Sequence, residues 1–190
     1  MKKNLLIALW FTLVTTVMFG VLYPLVITGL AQVFFPDRAN GQLIQKDGKI
    51  VGSRIIGQSF SEPGYFHSRP SNAGTGYDAT ASSGSNLAPT NKNLLDRVKG
   101  DVEKARADNP KSSIPVDLVT ASGSGLDPEI SPAAAEFQIP RVTRERGMPE
   151  REVRILVQKH TKGRDWGILG EPRVNVLELN LDLDAVHPRK

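Results

Sequence analysis

Three histidines, His67, His160 and His187, carry the side chains best suited to proton transfer or metal binding near neutral pH. They lie far apart in the sequence, and none has the spacing of a metal-binding motif. The chain has no cysteine, which excludes disulfides, thiolate metal sites and a cysteine nucleophile. It also lacks a phosphate-binding loop ending in Lys and Ser or Thr, and a Gly-x-Ser-x-Gly nucleophile elbow. We therefore predict no catalytic residue and no metal site, and we assign no cofactor-binding residue.

The segment 64–91 has the composition of a recognition surface rather than of a catalytic loop. It is rich in Gly, Ser, Thr and Asn, whose turn chemistry favours a defined backbone, and its aromatic residues can anchor it to a core. We predict an ordered surface loop whose exposed polar side faces a partner. A disordered linker is the alternative that its composition leaves open. The candidate partner-facing residues are Tyr65, Phe66, Arg69, Tyr77, Asp78 and Asn86.

The elements that position this segment begin with an apolar N-terminal run. No charged residue lies between Lys3 and Asp37, and the run exceeds the roughly 20 residues that span a bilayer. A cleaved signal peptide is the alternative, but its apolar core is typically about 7 to 15 residues long. We predict a short cytoplasmic N-terminus and a transmembrane helix in residues 1–36, followed by one extracytoplasmic domain in residues 37–190. Lys2 and Lys3 place the N-terminus in the cytoplasm by the positive-inside rule.

Small residues recur at every fourth position along this helix, a spacing that lets a second helix approach closely in lipid. Pro24 leaves the carbonyl of Gly20 without its helical donor, so we expect the helix to kink there. General enrichment of small residues in membrane helices is the alternative explanation. The predicted packing residues, which we call the small-residue stripe, are Ala8, Thr12, Thr16, Gly20 and Pro24.

The remaining sequence predicts an α+β fold, with one small mixed α/β domain after the membrane helix. The patterns favour short strands within 43–56, a strand at 114–119, and helices after Asn91 or Asn93, after Ser131 and over 149–160. Pro140 is expected to interrupt the second of these helices, and Gly147 to end it. Residues 174–184 fit either a strand or a helix, with a slight preference for helix.

Charge distribution excludes an obvious nucleic-acid partner. Without Lys2 and Lys3, the 24 basic residues become 22 against 20 acidic ones. One basic cluster is interrupted by glutamates, so we predict a solvated helical face rather than a site for phosphate or lipid headgroups. The cluster consists of Arg141, Arg144, Arg146, Arg151 and Arg154.

Several longer words of sequence occur together in a known family. They include Gly64-Tyr65-Phe66, Arg69-Pro70-Ser71, the run at 119–135, Gln138-Ile139-Pro140-Arg141-Val142 and the segment from Gly170 to Asn180. The chain resembles the C chain of the potassium-transporting Kdp complex, a P-type ATPase, from the membrane helix to Asp184. Ser83 departs from the family, which usually has a second glycine there, so a positive φ is not required at this position.

The resemblance implies an accessory, assembly and regulatory subunit of a high-affinity potassium importer in the inner (plasma) membrane, one that is not an enzyme by itself. The implied partners are a channel-like potassium-binding subunit, an ATP-hydrolysing P-type subunit, a small membrane peptide and the lipid bilayer. These partners would handle ATP and K⁺. The Asp-Lys-Thr-Gly phosphorylation motif of the hydrolysing subunit is absent from this chain.

The family is also assigned a chaperone role that raises the ATP affinity of the hydrolysing subunit. Because ATP is cytoplasmic and the large domain is predicted to lie outside, we favour an indirect effect transmitted through assembly and the membrane helix. The alternative function is a free-standing, membrane-anchored enzyme or binding module that uses segment 64–91.

Overall fold

The computed structural model describes residues 1–188, so the last two residues of the predicted 37–190 domain lie outside the described part. The chain divides into two compact units, one covering residues 1–51 and one beginning at Gly52. The first unit contains the apolar helix, and the second contains a small sheet and the remaining long helices. This combination confirms the predicted α+β class with a single N-terminal apolar helix.

The apolar helix extends over Lys2–Phe34 and is long and apolar enough to cross a membrane. It consists of α1 (Lys2–Thr15), a π-helical turn (Thr16–Leu22) and α2 (Tyr23–Phe34). Pro24 follows the π-helical turn and has no N–H to donate, and such wide turns relieve a broken hydrogen-bond ladder. The helical hydrogen-bond pattern is therefore altered just before Pro24, while the predicted kink of the helix axis stays a prediction.

A short helix and a β-hairpin follow the apolar helix. Helix α3 spans Pro36–Ala39, and the hairpin pairs β1 (Leu43–Lys46) with β2 (Lys49–Ser53). Asp47 and Gly48 form its turn with φ of 51° and 75°. Two consecutive positive φ values suit the tight turn that matches strand twist, which explains the Asp-Gly sequence. The short strands predicted within 43–56 are confirmed.

The second unit alternates helices with very short strands. Its helix α4 begins after Asn91, whose side chain accepts a hydrogen bond from the N–H of Asn93, as the sequence predicts. The later elements all follow residue 128. They are β3 (Glu129–Ile130), α5 (Pro132–Arg146), α6 (Glu150–His160), β4 (Thr161–Lys162), β5 (Arg173–Asn175) and α7 (Val176–Val186).

The core of the second unit lies between α5, α6, α7 and a three-stranded antiparallel sheet with β5 at its centre. Ile130 pairs with Val174, and Thr161 pairs with Val174 on its other side. Burial of aliphatic side chains supplies the main driving force here, at roughly 25 cal/mol per Å² of apolar surface. The fully buried members include Phe66, Ile139, Val142, Val153, Val174, Leu179 and Leu183.

Helix α5 runs through Pro140 and ends at Gly147, which has a φ of 65°. The predicted end at Gly147 is confirmed, and the predicted interruption at Pro140 is wrong. Pro140 lies on the exposed side of the helix, where water can replace the hydrogen bond that it removes from the Glu136 carbonyl. The buried neighbours Ile139 and Val142 hold the helix on either side of it.

The strand predicted at 114–119 is wrong, because Val116–Leu118 forms a 3₁₀ turn. Val116 is 71% exposed, and the Asp117 carboxylate accepts hydrogen bonds from the N–H and hydroxyl of Ser131, 2.7 and 3.1 Å away. This turn thereby holds the start of α5. The ambiguous segment 174–184 divides between strand and helix, because β5 ends at Asn175, which caps α7.

Candidate functional site

Within residues 1–188 no β-strand pairs with residues 63–67, and their backbone groups bind side chains instead. Asn180 on α7 accepts a hydrogen bond from the Phe66 N–H at 2.9 Å and donates one to the Phe66 carbonyl at 2.9 Å. Gln138 on α5 does the same for His67, at 2.8 and 3.0 Å. Each amide satisfies both backbone groups of one residue, as a neighbouring strand would. We call these two interactions the amide clamps.

Two buried arginines bind the carbonyl groups just before the amide clamps. Arg141 donates to the carbonyls of Pro63 and Tyr65, the latter at 2.9 Å. Arg146 donates from Nε to the Gly64 carbonyl at 2.6 Å. Both side chains come from α5, and they are only 4% and 7% exposed. The backbone entering segment 64–91 is thus held by four buried polar side chains.

These arginines correct one prediction made from the sequence. Arg144, Arg151 and Arg154 are exposed, as expected for a solvated helical face, but Arg141 and Arg146 are not. Their aliphatic stems and planar guanidinium groups fill interior space and supply several fixed donors. The prediction was wrong for these two residues because the carbonyls that they bind lie 76 to 82 residues earlier in the chain. The local charge pattern gives no information about such distant partners.

The charge of Arg146 is compensated by a carboxylate and an aromatic ring. Its Nη2 lies 2.8 Å from Asp184 Oδ1, and its guanidinium carbon lies 4.7 Å from the centre of the Tyr65 ring. The Tyr65 hydroxyl donates to the other oxygen of Asp184 at 2.9 Å. Burial, followed by this hydrogen bond, raises the pKa of Tyr65 above its ordinary value. Tyr65 is therefore an anchor between α5 and α7.

Arg141 is less completely paired. Its Nε lies 3.2 Å from Asp108 Oδ2, an ion-pair contact without hydrogen-bond alignment, and Asp108 is about half exposed. Burial lowers the pKa of Arg141, and the nearby Asp108 opposes this shift. Arg141 Nη2 also donates to Gln138 Oε1 at 2.7 Å, so it holds the amide of one clamp in its orientation. This arrangement couples the arginine and the clamp.

His67 follows the clamped backbone and has an unusual titration. Burial and the neighbouring Arg141 lower the pKa of His67 to about 4. Its Nε2 lies 3.0 Å from the Glu62 carbonyl, so the neutral ring places its proton on Nε2. His67 is consequently a neutral hydrogen-bond donor at physiological pH.

Residues 69–77 of the segment are attached to residues 120–127 and to one another. Arg69 Nη1 lies 2.9 Å from Asp127 Oδ2, and the Ser71 hydroxyl donates to the Gly125 carbonyl at 2.6 Å. Tyr77 bridges the turn, since its N–H donates to Ser71 Oγ at 2.8 Å and its hydroxyl donates to the Arg69 carbonyl. Burial raises the pKa of Tyr77. The segment is free of regular secondary structure, and these hydrogen bonds attach it to the rest of the second unit.

Close backbone approach explains the glycine of the facing segment. Gly125 has a φ of 69°, and a Cβ atom there would lie 2.6 Å from both the Ala73 nitrogen and the Ser83 carbonyl oxygen. Ser83 does not have a positive φ, and its N–H donates to the Ser124 carbonyl at 2.9 Å. The serine at this position therefore introduces no backbone strain.

The six candidate contact residues occupy different environments. Phe66 is fully buried, so its side chain anchors the segment and does not face a partner. Asp78 is half-buried and accepts hydrogen bonds from the N–H and hydroxyl of Thr80, which lower its pKa. Asn86 is exposed with a φ of 51°, a conformation that asparagine tolerates. The accessible surface of the segment is therefore its later part.

A shallow cleft of about 350 Å³ lies between this segment and α4. Its lining includes His67, Arg69, Tyr77, Asp101 and Lys104. Residues 1–188 contain no group of three His, Asp or Glu side chains able to hold a metal ion. His160, at the end of α6, instead lies 2.9 Å from Asp182 Oδ2, at the edge of the core as predicted.

The comparison with known proteins extends over nearly the whole chain. A family model described as "KdpC: K+-transporting ATPase, c chain" matches residues 5–185. The chain belongs to the KdpC family.

Curated relatives agree with this assignment. The potassium-transporting ATPase KdpC subunit of Koribacter versatilis is 62% identical over 188 residues, covering 99% of this chain and 97% of that protein. The subunit of the same name from Rhodopseudomonas palustris strain BisB5 is 56% identical, covering 97% and 98%. That from Caulobacter vibrioides is 56% identical, covering 91% and 88%. The KdpC match therefore includes both units, with the clamps and the apolar helix.

The sequence analysis did not identify the residues that hold segment 64–91. Gln138 and Asn180 stand among buried apolar residues on helices, and that pattern is the signal that would have identified them. A second omission is an exposed loop between β4 and β5 that carries Trp166, Ile168 and Leu169. A tryptophan in a glycine-rich stretch between two strands was its signal.

Replacing Asn180 with leucine tests the amide clamp at Phe66. The Asn180→Leu variant keeps the branched shape of the side chain but leaves the buried Phe66 N–H and carbonyl without partners, at about 1–3 kcal/mol for each group. We expect the free energy of unfolding in urea to fall accordingly, and amide exchange at Phe66 to accelerate. Asn93→Leu, at an exposed position, is the matched control. Equal stability of the two variants would contradict the clamp.

The pKa of His67 predicts a specific pH dependence. Between pH 6.5 and about 4 the unfolded chain binds a proton that the folded chain does not. The contribution of His67 to stability is therefore complete above pH 6.5 and is lost as the pH falls toward 4. We expect His67→Gln to reduce the difference between the free energies of unfolding at pH 7 and pH 5, with His187→Gln as control. An unchanged difference in His67→Gln would show that His67 titrates normally.

Proposed function

We propose that this chain is the accessory, assembly and regulatory subunit of an ATP-driven potassium importer and has no catalytic activity of its own. The observation that carries the proposal is the nearly full-length match to the c chain of a K⁺-transporting ATPase. The partners are a channel-like potassium-binding subunit and an ATP-hydrolysing subunit, with a small membrane peptide and the bilayer as further contacts. ATP and K⁺ are bound by those partners.

The hydrogen bonds that hold the backbone at the start of segment 64–91 support a role for this segment in docking to a partner subunit. A backbone already fixed by buried side chains loses little conformational entropy when a partner binds its surface. The polar side of the segment, with Arg69, Tyr77, Asp78 and Asn86, meets the channel-like subunit in this proposal. Phe66 contributes only by fixing the backbone.

The effect on ATP affinity is indirect in this proposal. The N-terminus lies in the cytoplasm and the second unit lies outside, so the second unit does not meet cytoplasmic ATP. A subunit that binds one state of a partner more tightly than another shifts that partner toward the favoured state. Assembly through the apolar helix therefore changes ATP affinity without contact with nucleotide.

Topology is tested with single cysteines, because the chain has none. Lys111 is exposed in the second unit, and Asn4 lies at the start of the apolar helix. We expect a membrane-impermeant thiol reagent to label Lys111→Cys in intact cells and Asn4→Cys only after lysis. The positive-inside rule is the physical reason. The reverse pattern of labelling would overturn the orientation.

The small-residue stripe is tested with Gly20→Leu. A Cβ at Gly20 would have only Thr16 Cγ2 nearby, at 3.8 Å, so the chain itself has room for a side chain. At a helix–helix contact, the added bulk is expected to cost about 1–3 kcal/mol, which weakens assembly by about tenfold or more.

The π-helical turn contains both Thr16 and Gly20. In an α-helix, four residues turn through more than one full turn, so residues four apart drift around the helix. The wider π-helical turn reduces this drift. The stripe is thereby kept closer to one face.

The measurement is co-purification with the ATP-hydrolysing chain in mild detergent, together with potassium uptake at low external potassium. We expect both to fall in Gly20→Leu and to remain normal in Leu6→Ala, which lies away from the stripe. A parent chain that purifies alone would overturn the accessory-subunit proposal. A Gly20→Leu chain that assembles like the parent would overturn only the stripe.

A further inference from the structure

The loop between β4 and β5 exposes three large apolar side chains at its tip. Trp166 is 89% exposed, Ile168 is 74% exposed and Leu169 is 51% exposed. They lie within four consecutive residues, so they form one patch rather than isolated surface residues. We call residues 163–171 the apolar hairpin. Nothing in the core of the second unit requires apolar side chains at this position.

The backbone of the apolar hairpin is well defined. Asp165 and Leu169 exchange two backbone hydrogen bonds, at 2.8 and 2.9 Å. Trp166 and Gly167 make the turn with φ of 53° and 79°. A bulky residue rarely adopts a positive φ, so the turn holds Trp166 in a conformation that the residue itself disfavours. The hairpin therefore presents the indole ring from a fixed position.

Ion pairs brace the hairpin on both sides. Arg164 Nη2 lies 2.7 and 2.8 Å from the two Glu171 oxygens. Arg173 lies 3.0 Å from Asp165 Oδ2 and 3.1 Å from Glu129 Oε2, which ties the tip to the sheet. Lys162, just before the hairpin, lies 3.2 Å from Glu178 Oε2. Each cation in or beside the hairpin thus has a carboxylate partner.

This charge arrangement decides between lipid and protein as the occupant. Segments that bind lipid surfaces combine apolar residues with basic residues free to meet anionic headgroups. Here the cations are already paired, and residues 163–171 contain Arg164 against Asp165 and Glu171, so the hairpin offers no excess positive charge to such headgroups. A rigid tip with a central tryptophan instead has the properties of an anchor residue that enters a preformed pocket on a protein.

We propose that the apolar hairpin inserts Trp166 and Ile168 into an apolar pocket on another chain of the same ATPase. This inference rests on the proposed function, because the family assignment is what implies further chains. It adds a second contact surface, separate in sequence from segment 64–91 and from the small-residue stripe. Burial of these side chains on assembly removes from water the largest exposed apolar group of the second unit.

The test uses the full chain and the assembled complex. Trp166→Asn removes the indole and introduces a residue that tolerates positive φ, and Ile168→Ser removes the second apolar side chain. Val116→Ser is the matched control, because Val116 is 71% exposed and lies outside the hairpin. We expect both hairpin variants to assemble about tenfold or more weakly than the parent, with unchanged unfolding midpoints, while the control assembles normally.

A nitroxide at Leu169→Cys identifies the occupant. We expect the label to be accessible to water-soluble relaxing agents in the isolated chain, and immobilised and protected from both those agents and oxygen in the complex. Increased accessibility to oxygen would indicate lipid, and dipolar broadening in the isolated chain would indicate a second copy. Either result, or normal assembly of the hairpin variants, overturns the proposal. If the parent does not assemble with other ATPase chains, the proposed function itself fails.

Discussion

The constraint on which the second unit depends is that buried backbone groups of residues 63–67 need hydrogen-bond partners. No strand lies beside this stretch, and an unpaired buried N–H or carbonyl costs about 1–3 kcal/mol. Gln138, Arg141 and Arg146 on α5, with Asn180 on α7, supply those partners. The same contacts orient the two helices toward each other, since each clamp joins a helix to the common backbone. Packing of the core and ordering of segment 64–91 are therefore parts of one arrangement.

Buried arginines add specificity to this arrangement at an energetic cost. Removing a guanidinium from water is unfavourable unless its donors are satisfied, and Arg146 meets this condition with Gly64, Asp184 and the carbonyl of His187. The N–H groups of a planar guanidinium can donate to carbonyls only within a narrow range of positions. The segment therefore has one arrangement rather than several of similar energy. A surface built on such a base is preorganised. The same reasoning applies to the apolar hairpin, where Arg164 and Arg173 brace the turn that carries Trp166.

A structural feature could be predicted from the sequence when the groups that determine it lie close together along the chain. Caps at Asn91 and Ser131 and the end at Gly147 depend on atoms within a few residues, so local sequence identified them. The clamps join residues 71 and 114 positions apart, which no local pattern reveals. The strand expected at 114–119 was wrong because alternating apolar residues do not show whether a neighbouring strand exists. Pro140 was misjudged because exposure of its helix face depends on tertiary packing.

The amide clamps also explain how an irregular segment can be held in the core without creating a new sheet edge. A strand pairing with residues 66 and 67 would expose its own outer row of N–H and carbonyl groups, which invites unwanted strand addition. A single asparagine or glutamine satisfies both the N–H and the carbonyl of one residue. Because that side chain belongs to a helix, no new row of unpaired backbone groups arises. The chain beyond His67 is then free to form turns, and it is fixed again at Arg69, Ser71, Tyr77 and Ser83. Side-chain clamps are therefore the means by which this fold keeps a long segment ordered and still available as a surface.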